Sequence, residues 1–291
     1  MASVRVLVAV TVDCDLRRGN VIHRRAALEA LLGLFRRAGL SGHVTWFLNE
    51  NDFKIVEWHG DFVDEVLERG DSIGVHDHFD RYDTIHDYDP PARPVDILCF
   101  EEVYRLMRLS KEAVEAYLRE RGWDAPVAMH RNGCLVQSRA IYRALRELGY
   151  RVVSDVAPQE HVNGSKFADR SGRPNVMFNE GVPLSVQPYR HDVDNWADYR
   201  SREGHFIQVP VHYLGRDLNF GYFEHFLRAC EGEGLAECVF CWLFHPYEIQ
   251  AATGEVDGAK LRSLEDLLAK LRDDYGASFV SFDELLERLE L

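Results

Sequence analysis

The sequence predicts an α/β fold with a parallel sheet, arranged as a single distorted barrel of seven or eight β/α repeats. Apolar runs of strand length alternate with segments of helical spacing some seven times along the 291 residues. No break in composition, internal repeat or low-complexity stretch divides the chain. Polar, titratable residues end almost every predicted strand, where such barrels place their chemistry. We therefore expect one domain over residues 1–291.

Each element follows from its local pattern. Val4–Val12 is rich in Val, Leu and Ala, which is typical of a strand buried on both faces. Helical spacing over Val21–Ala38 ends at Gly39, and the β-branched and aromatic run Gly42–Leu48 predicts a second strand. The other predicted strands are Ser72–His76, Val127–His130, Tyr150–Asp155, His205–Tyr213, Cys238–Phe244 and Ala277–Ser281. The other predicted helices are Asp61–Arg69, Leu98–Arg119, Leu135–Leu148, Leu218–Glu231, Leu261–Arg272 and Phe282–Leu289. We expect a loop over a site at residues 81–94, and irregular hairpins and loops over residues 158–203.

The composition excludes several classes of protein. A hydrophobic fraction of 46% and a charged fraction of 28% are globular values. The net charge of -14, from 48 acids against 34 bases, argues against nucleic acid or an anionic membrane as the main partner. No apolar run approaches the roughly 18 residues that span a bilayer. The first predicted strand begins so close to Met1 that a signal peptide would not fit before it. We therefore expect a cytoplasmic protein.

The six cysteines lie in apolar contexts, which fits a reducing compartment. Cys238 and Cys241 have the CxxC spacing of redox and zinc sites. They fall within a predicted strand, where residues three apart face opposite sides, so their sulfurs do not converge. We therefore expect buried thiols.

Two carboxylates, Asp13 and Asp15, stand where the first strand should stop. Alternation along a strand points both to one side, with Cys14 opposite. Neighbouring acids repel each other unless a cation or a proton lies between them. One could hold a metal ion while the other takes a proton from water bound to it. Taken alone, the pair also suits a simple strand-to-loop turn.

Histidines and acids follow two later strands. His76, His78 and Asp80, with one more acid between them, supply the groups that suit Zn, Co, Ni or Mn. His245 follows an apolar strand, and Pro246 fixes the turn beyond it. A histidine at that place can act as a general acid or can cap a carbonyl, and its position alone leaves both roles open.

Motifs in a fixed order along nearly the whole chain resemble the polysaccharide deacetylase family, which has the NodB-homology fold of family 4 carbohydrate esterases. No single motif is specific, but their order is. The segments that carry the resemblance are Thr11–Asp15, Val44–Leu48, Ile73–His76, Met129–Gln137, Ala144–Val156, Gln187–Arg190, Phe206–Val211 and Trp242–Pro246.

The resemblance implies a metal-dependent N-deacylase with one divalent ion. We expect zinc, with cobalt, manganese or nickel as alternatives. It implies that Asp15 ligates the metal and that Asp13 is the general base. Arg131 would orient Asp13 through a charge-assisted bond, and His245 would protonate the departing amine.

Two positions depart from the family pattern. Asp80 stands where the family has its second metal histidine, so the ligand set is either Asp15, His76 and Asp80 or one in which His78 replaces Asp80. Val153 stands where the family acid tunes the catalytic histidine. Asp155, two residues on and so on the same strand face, is a candidate for that supporting role or a plain strand-end acid.

The leading hypothesis is hydrolysis of an acetyl or formyl group from an amino sugar or a sugar-containing small molecule. A non-catalytic binding barrel that kept the pocket is the alternative from another class, and Asp80 and Val153 favour it. A metal-dependent amidohydrolase acting on a non-sugar amide is the third. The sequence predicts neither the acyl group nor the oligomeric state.

Overall fold

A computed structural model describes residues 4–16, 21–78, 100–158, 179 and 181–289 of the chain. The predicted loop at 81–94 and the candidate ligand Asp80 lie outside these residues. The strands are β1 (Arg5–Asp13), β2 (Val44–Asn49), β3 (Ser72–Asp77), β4 (Met129–Asn132), β5 (Val152–Val153), β6 (Tyr189–His191), β7 (Phe206–Gln208), β8 (Tyr213–Leu214), β9 (Glu237–Phe244) and β10 (Ser278–Phe279). The helices are α1 (Val21–Arg37), α2 (Glu50–Phe53), α3 (Ile55–Trp58), α4 (Gly60–Glu68), α5 (Phe100–Glu120), α6 (Arg139–Glu147), α7 (Phe220–Gly232), α8 (Gly258–Tyr275) and α9 (Phe282–Leu289), with short 3₁₀ turns at Gly133–Leu135 and Pro246–Ile249.

The described residues fall into two compact units. Unit 1 takes those within Met1–Trp46, His59–Ser72 and His212–Leu291, and unit 2 takes those within Phe47–Trp58 and Ile73–Val211. The organisation of residues 1–291 as one domain stays a prediction.

Unit 1 is built around β1, which is buried along its whole length apart from Arg5. The strand pairs in parallel with β9 over eight residues, from Arg5↔Glu237 to Val12↔Phe244, and with β10 on its other edge. Strand β8 extends the sheet by pairing in parallel with β9. Strands on both edges, and burial of its residues on both faces, explain why β1 is continuously apolar rather than alternating.

The helices of unit 1 begin and end where their capping residues predict. Helix α8 begins after Asp257, whose carboxylate accepts from the backbone N–H groups of Ala259 and Lys260. It ends at Gly276, whose φ of 63° is the left-handed conformation that glycine adopts without strain. These caps add about a turn at each end to the helix predicted over Leu261–Arg272.

Unit 2 has a sheet in the order β3-β4-β5-β7-β6, parallel except for the antiparallel pair of β6 and β7. Helix α6 begins at Arg139, later than the predicted Leu135, because Ser138 caps it by accepting from the Ile141 N–H. The intervening residues 133–135 form a 3₁₀ turn instead.

Two predicted strands were too long. The predicted strand over Tyr150–Asp155 is reduced to β5, because the side-chain carbonyl of Gln208, in the orientation that satisfies its neighbours, accepts from the Asp155 N–H. The predicted strand over His205–Tyr213 is divided into β7 and β8. Pro210, which lies between them, has no N–H to continue a ladder.

Helices α2 and α3, which the sequence did not predict, are joined by a buried carboxyl group. Oε2 of Glu50 accepts from the backbone N–H of Val56 at 3.0 Å. Burial is the main cause that raises the pKa of Glu50 from an ordinary 4.5 to about 7. The folded protein therefore binds this proton more tightly than the unfolded chain does.

The raised pKa of Glu50 should make the free energy of unfolding depend on pH. Because the folded-state pKa of Glu50 is raised, the protonated side chain stabilises the folded protein. This stabilisation is complete below about pH 4.5 and is lost as the pH rises through 7. Glu50→Gln, which cannot ionise, should gain roughly 2–3 kcal/mol relative to the native protein between pH 5 and pH 8. Urea denaturation at both pH values measures the difference. Glu68→Gln, which removes an exposed carboxylate at the end of α4, is the matched control and should show no such gain.

Among the described residues, no helix has both the length and the apolar character that a membrane crossing requires.

Candidate functional site

In unit 1 the acidic pair closes β1. Asp13 is the last residue of the strand, and the Asp15 N–H donates to its carbonyl oxygen at 2.7 Å, which forms a tight turn. Both aspartates are almost fully buried. Cys14 between them is also buried, and burial, with the two neighbouring carboxylates, raises the pKa of its thiol well above the ordinary value. Cys14 is therefore an inert thiol, and the polar chemistry of this turn belongs to the two acids.

His245 stands at the end of β9, beside the end of β1. The pairing of Val12 with Phe244 brings the two strand ends level. The Nε2 atom of His245 lies 3.9 Å from Oδ2 of Asp15. Its Nδ1 atom lies 2.9 Å from Oε1 of Glu248, a residue three positions further on. The parallel ladder thus brings together Asp15 and His245, which are far apart in the sequence.

In unit 2 two buried histidines face each other at the end of β3. Nε2 of His76 lies 3.0 Å from Nε2 of His78, and the rings meet edge to face. Nδ1 of His76 lies 2.9 Å from the carbonyl oxygen of Arg131. Because that oxygen can only accept, Nδ1 carries the hydrogen and the Nε2 lone pair of His76 points towards His78.

The distance between these nitrogens suits a shared metal ion. Zinc binds imidazole nitrogen at about 2.0–2.1 Å, and a tetrahedral arrangement then separates two such nitrogens by about 3.3 Å. The observed separation of 3.0 Å between His76 and His78 is close to that value. The donor chemistry also fits, since the outer nitrogen of a metal-bound histidine commonly donates to a carbonyl, as His76 does.

Gly133 makes room for the second histidine. A Cβ atom at this position would lie 2.3 Å from Nδ1 of His78 and 2.5 Å from its Cγ, which no side chain tolerates. Only glycine allows the His78 ring to lie against this turn, and the sequence reasoning gave the glycine no role. The signal was present in the segment Arg131–Gly133, which follows the predicted strand Val127–His130 directly.

The opposite face of β3 is anchored through Asp77, which lies between the two histidines in the chain. Its carboxylate accepts from Nε2 of His130 at 3.0 Å, Nδ2 of Asn51 at 2.5 Å and Oγ of Ser110 at 2.6 Å. All these contacts are inside unit 2, and Asp77 and His130 are fully buried. Successive side chains of a strand alternate, so this anchor fixes the backbone that carries both histidines.

Arg131 is held rigidly within unit 2. Its Nε donates to the carbonyl of Ser154 at 3.0 Å and its Nη2 donates to Oγ of the same residue at 2.7 Å. The guanidinium also lies 4.3 Å from the centre of the Phe47 ring. A fully buried guanidinium held this way has a fixed direction, which is what the orientation of a carboxylate requires.

Asp155 binds Asn132. Its carboxylate accepts from the backbone N–H of Asn132 at 2.7 Å and from Nδ2 at 2.8 Å. Burial raises the pKa of Asp155 to about 6, against the opposing effect of these donors. The supporting role for His245 that the sequence suggested for Asp155 stays a prediction, and the ring nitrogen Nδ1 of His245 has Glu248 beside it.

The fold is that of the distorted β/α barrels of the polysaccharide deacetylase, or NodB, type, which confirms the predicted fold class. A candidate polysaccharide deacetylase from Mycobacterium smegmatis is similar with a TM-score of 0.62 and 12% identity, covering 100% of this chain and 91% of its own. A candidate glycoside hydrolase/deacetylase from Parabacteroides distasonis is similar with a TM-score of 0.61 and 14% identity, covering 100% and 73%.

A 4-alpha-glucanotransferase from Thermococcus litoralis is also similar, with a TM-score of 0.56 and 12% identity, over 99% of this chain and 40% of its own. No known family profile matches the sequence, and no curated protein matches it. The resemblance to the deacetylases is therefore confirmed at the level of the fold. Since proteins of different named activity share that fold, the chemistry has to be argued from the site.

Proposed function

We propose that the protein is a metal-dependent N-deacylase, which releases an acetyl or formyl group from an amino sugar or a sugar-containing small molecule. The observation that carries this proposal is the pair of nitrogens on His76 and His78, 3.0 Å apart at the end of a buried strand. The fold supports it, because two of the similar structures are candidate deacetylases. A cytoplasmic location, predicted from the sequence, would fit a soluble precursor better than a cell-wall polymer.

The proposed ligands of the ion are His76 and His78, which face each other in unit 2, together with Asp15, which the family resemblance implies. One carboxylate and two imidazoles form a donor set that catalytic zinc sites use, with a position left for water. Cobalt, manganese and nickel accept the same groups. Asp80, the ligand first expected, remains the alternative to His78. Gly133 favours His78, because its missing side chain accommodates that ring.

A bound divalent ion would polarise the amide carbonyl and lower the pKa of the attacking water. The proposed role of Asp13 is that of general base: it would accept a proton from the attacking water as the water oxygen bonds to the acyl carbon. Arg131 is fixed by Ser154. Its proposed role, which the family resemblance implies, is to orient the Asp13 carboxylate through a charge-assisted hydrogen bond.

His245 completes the reaction. An amine leaves poorly unless it is protonated, so His245 in its doubly protonated form would donate its Nε2 proton to the amide nitrogen as the carbon–nitrogen bond breaks, and would return to the neutral ring. Its Nε2 atom, which lies 3.9 Å from the Asp15 carboxylate, is the atom that would deliver the proton. The products are a free carboxylic acid and a free amine.

The test is release of acetate or formate from free and nucleotide-linked N-acetyl and N-formyl amino sugars, after loading with zinc, cobalt or manganese. Asp13→Asn and His245→Asn should each lower kcat by about 10²–10⁴-fold and keep the metal. Glu29→Ala, which removes an exposed partner of Arg25, is the control and should be fully active. Absence of bound metal in the native protein after loading would overturn the proposal and favour the non-catalytic binding barrel. Metal binding together with release from simple amides but from no sugar would favour the non-sugar amidohydrolase.

A further inference from the structure

We infer that Glu248 is a positioning residue, which sets the tautomer and ring orientation of His245. The inference rests on the proposed function for its catalytic meaning, but its structural content can be tested alone. Neither the family resemblance nor the similar structures assign a role to Glu248.

Glu248 is placed by local geometry. The chain leaves β9 at His245, turns at Pro246 and forms a single 3₁₀ turn over Pro246–Ile249, in which Glu248 is the third residue. A glutamate at the third position of a helical turn commonly reaches back to the backbone N–H that precedes the turn. Oε1 of Glu248 does so, accepting from the His245 N–H at 3.0 Å.

The same oxygen also meets the imidazole. Oε1 of Glu248 lies 2.9 Å from Nδ1 of His245, and Oε2 accepts from the Arg216 N–H at 2.8 Å. Backbone N–H groups can only donate, so both carboxylate oxygens act as acceptors. Nδ1 of His245 is therefore the donor, and the neutral ring carries its lone pair on Nε2.

The ring is held in its plane as well as at its edge. Tyr247 stacks on the His245 imidazole with centroids 4.8 Å apart and planes 18° from parallel. With Nδ1 bonded to Glu248 and one face against Tyr247, Nε2 is directed towards Asp15, at 3.9 Å from its Oδ2. Glu248 thus selects which nitrogen of His245 faces the proposed reaction centre.

A simple capping role for Glu248 makes a different prediction. If the carboxylate served only to hold the 3₁₀ turn, its loss would lower stability without changing the tautomer of His245. If Glu248 positions the ring, Glu248→Ala should raise the population of the Nε2–H tautomer, because the Nδ1–H form loses its acceptor.

The experiment is ¹⁵N–¹H correlation NMR of the metal-loaded, ¹⁵N-histidine-labelled protein, at a pH where the ring is neutral, with His245 assigned through His245→Asn. We expect a pyridine-type Nε2 in the native protein and in Glu248→Asp, and a pyrrole-type Nε2 gaining population in Glu248→Ala. Glu29→Ala, which alters an exposed ion pair, is the matched control. An unchanged His245 tautomer in Glu248→Ala would overturn the inference. Should that variant fail to fold, Glu248→Leu, which also lacks an acceptor but fills more of the space, takes its place.

Kinetics separate this inference from the proposed function. With an active enzyme, Glu248→Ala should lower kcat by about 10–100-fold while KM changes little, and Glu248→Asp should restore part of the loss. If the native protein releases no acyl group but its His245 tautomer changes in Glu248→Ala, the proposed function is contradicted and the positioning role is supported. If the native protein is active but its His245 tautomer is the same in Glu248→Ala, only the positioning role is contradicted.

Discussion

Alanine in place of either His76 or His78 is expected to abolish stoichiometric metal binding. Each side chain directs Nε2 at the other from a buried position, with 3.0 Å between the two atoms. Loss of one imidazole leaves too few ligands for a catalytic-type site. We expect about one equivalent of metal in the native protein, and an affinity lower by at least about 100-fold in each variant. Plasma mass spectrometry after equilibrium dialysis against zinc measures both.

The companion variants distinguish the two candidate ligand sets. Asp80→Ala should keep the metal if His78 is the ligand, and His43→Ala, which removes a half-buried histidine paired with Glu284, is the control. Full metal content in His78→Ala together with its loss in Asp80→Ala would contradict the assignment of His78 and restore the set first expected.

Gly133→Ala is expected to remove metal binding without replacing any ligand. The new Cβ would lie 2.3 Å from Nδ1 of His78, so either that ring or the turn at residues 133–135 has to move. Because ligand geometry is demanding, a displaced imidazole should weaken zinc binding by about 10–100-fold or more. Metal titration with a thermal melt separates this effect from a general loss of stability.

The control for that substitution is Gly232→Ala at the end of α7. An added Cβ there meets no heavy atom within 4 Å, so the variant should bind zinc as the native protein does. A Gly133→Ala protein with native affinity would mean that His78 does not hold the ion. The same substitution tests the packing argument and the ligand assignment together.

The sequence predicts most of the frame that carries the site. The apolar strand before Asp13, the strand before His245 and the final helix Phe282–Leu289 agree with the observed elements within a residue or two. These elements are determined by local patterns: a run buried on both faces, or a helical period that a nearby residue ends. The proximity of Asp15 and His245 follows from the same patterns, because β1 and β9 are parallel neighbours that end at the same edge.

What the sequence could not predict depends on partners far along the chain. The choice between His78 and Asp80 depends on Gly133, some fifty positions away, whose missing side chain accommodates the ring. The shortness of β5 depends on a side chain of β7 that takes the Asp155 N–H. Glu248 is a different case, because its spacing from His245 is local, and a glutamate three residues after a strand-ending histidine was a signal that could have been used.

The central claim is that His76 and His78 bind one metal ion, with Asp15 as the third ligand that the family resemblance implies. Anomalous diffraction from crystals of the zinc-loaded protein tests it most directly. The account predicts a single strong peak about 2.0–2.2 Å from Nε2 of both histidines and from a carboxylate oxygen of Asp15. A peak that lacks Asp15 or His78 as a ligand, or a map with no peak near His76, would contradict it.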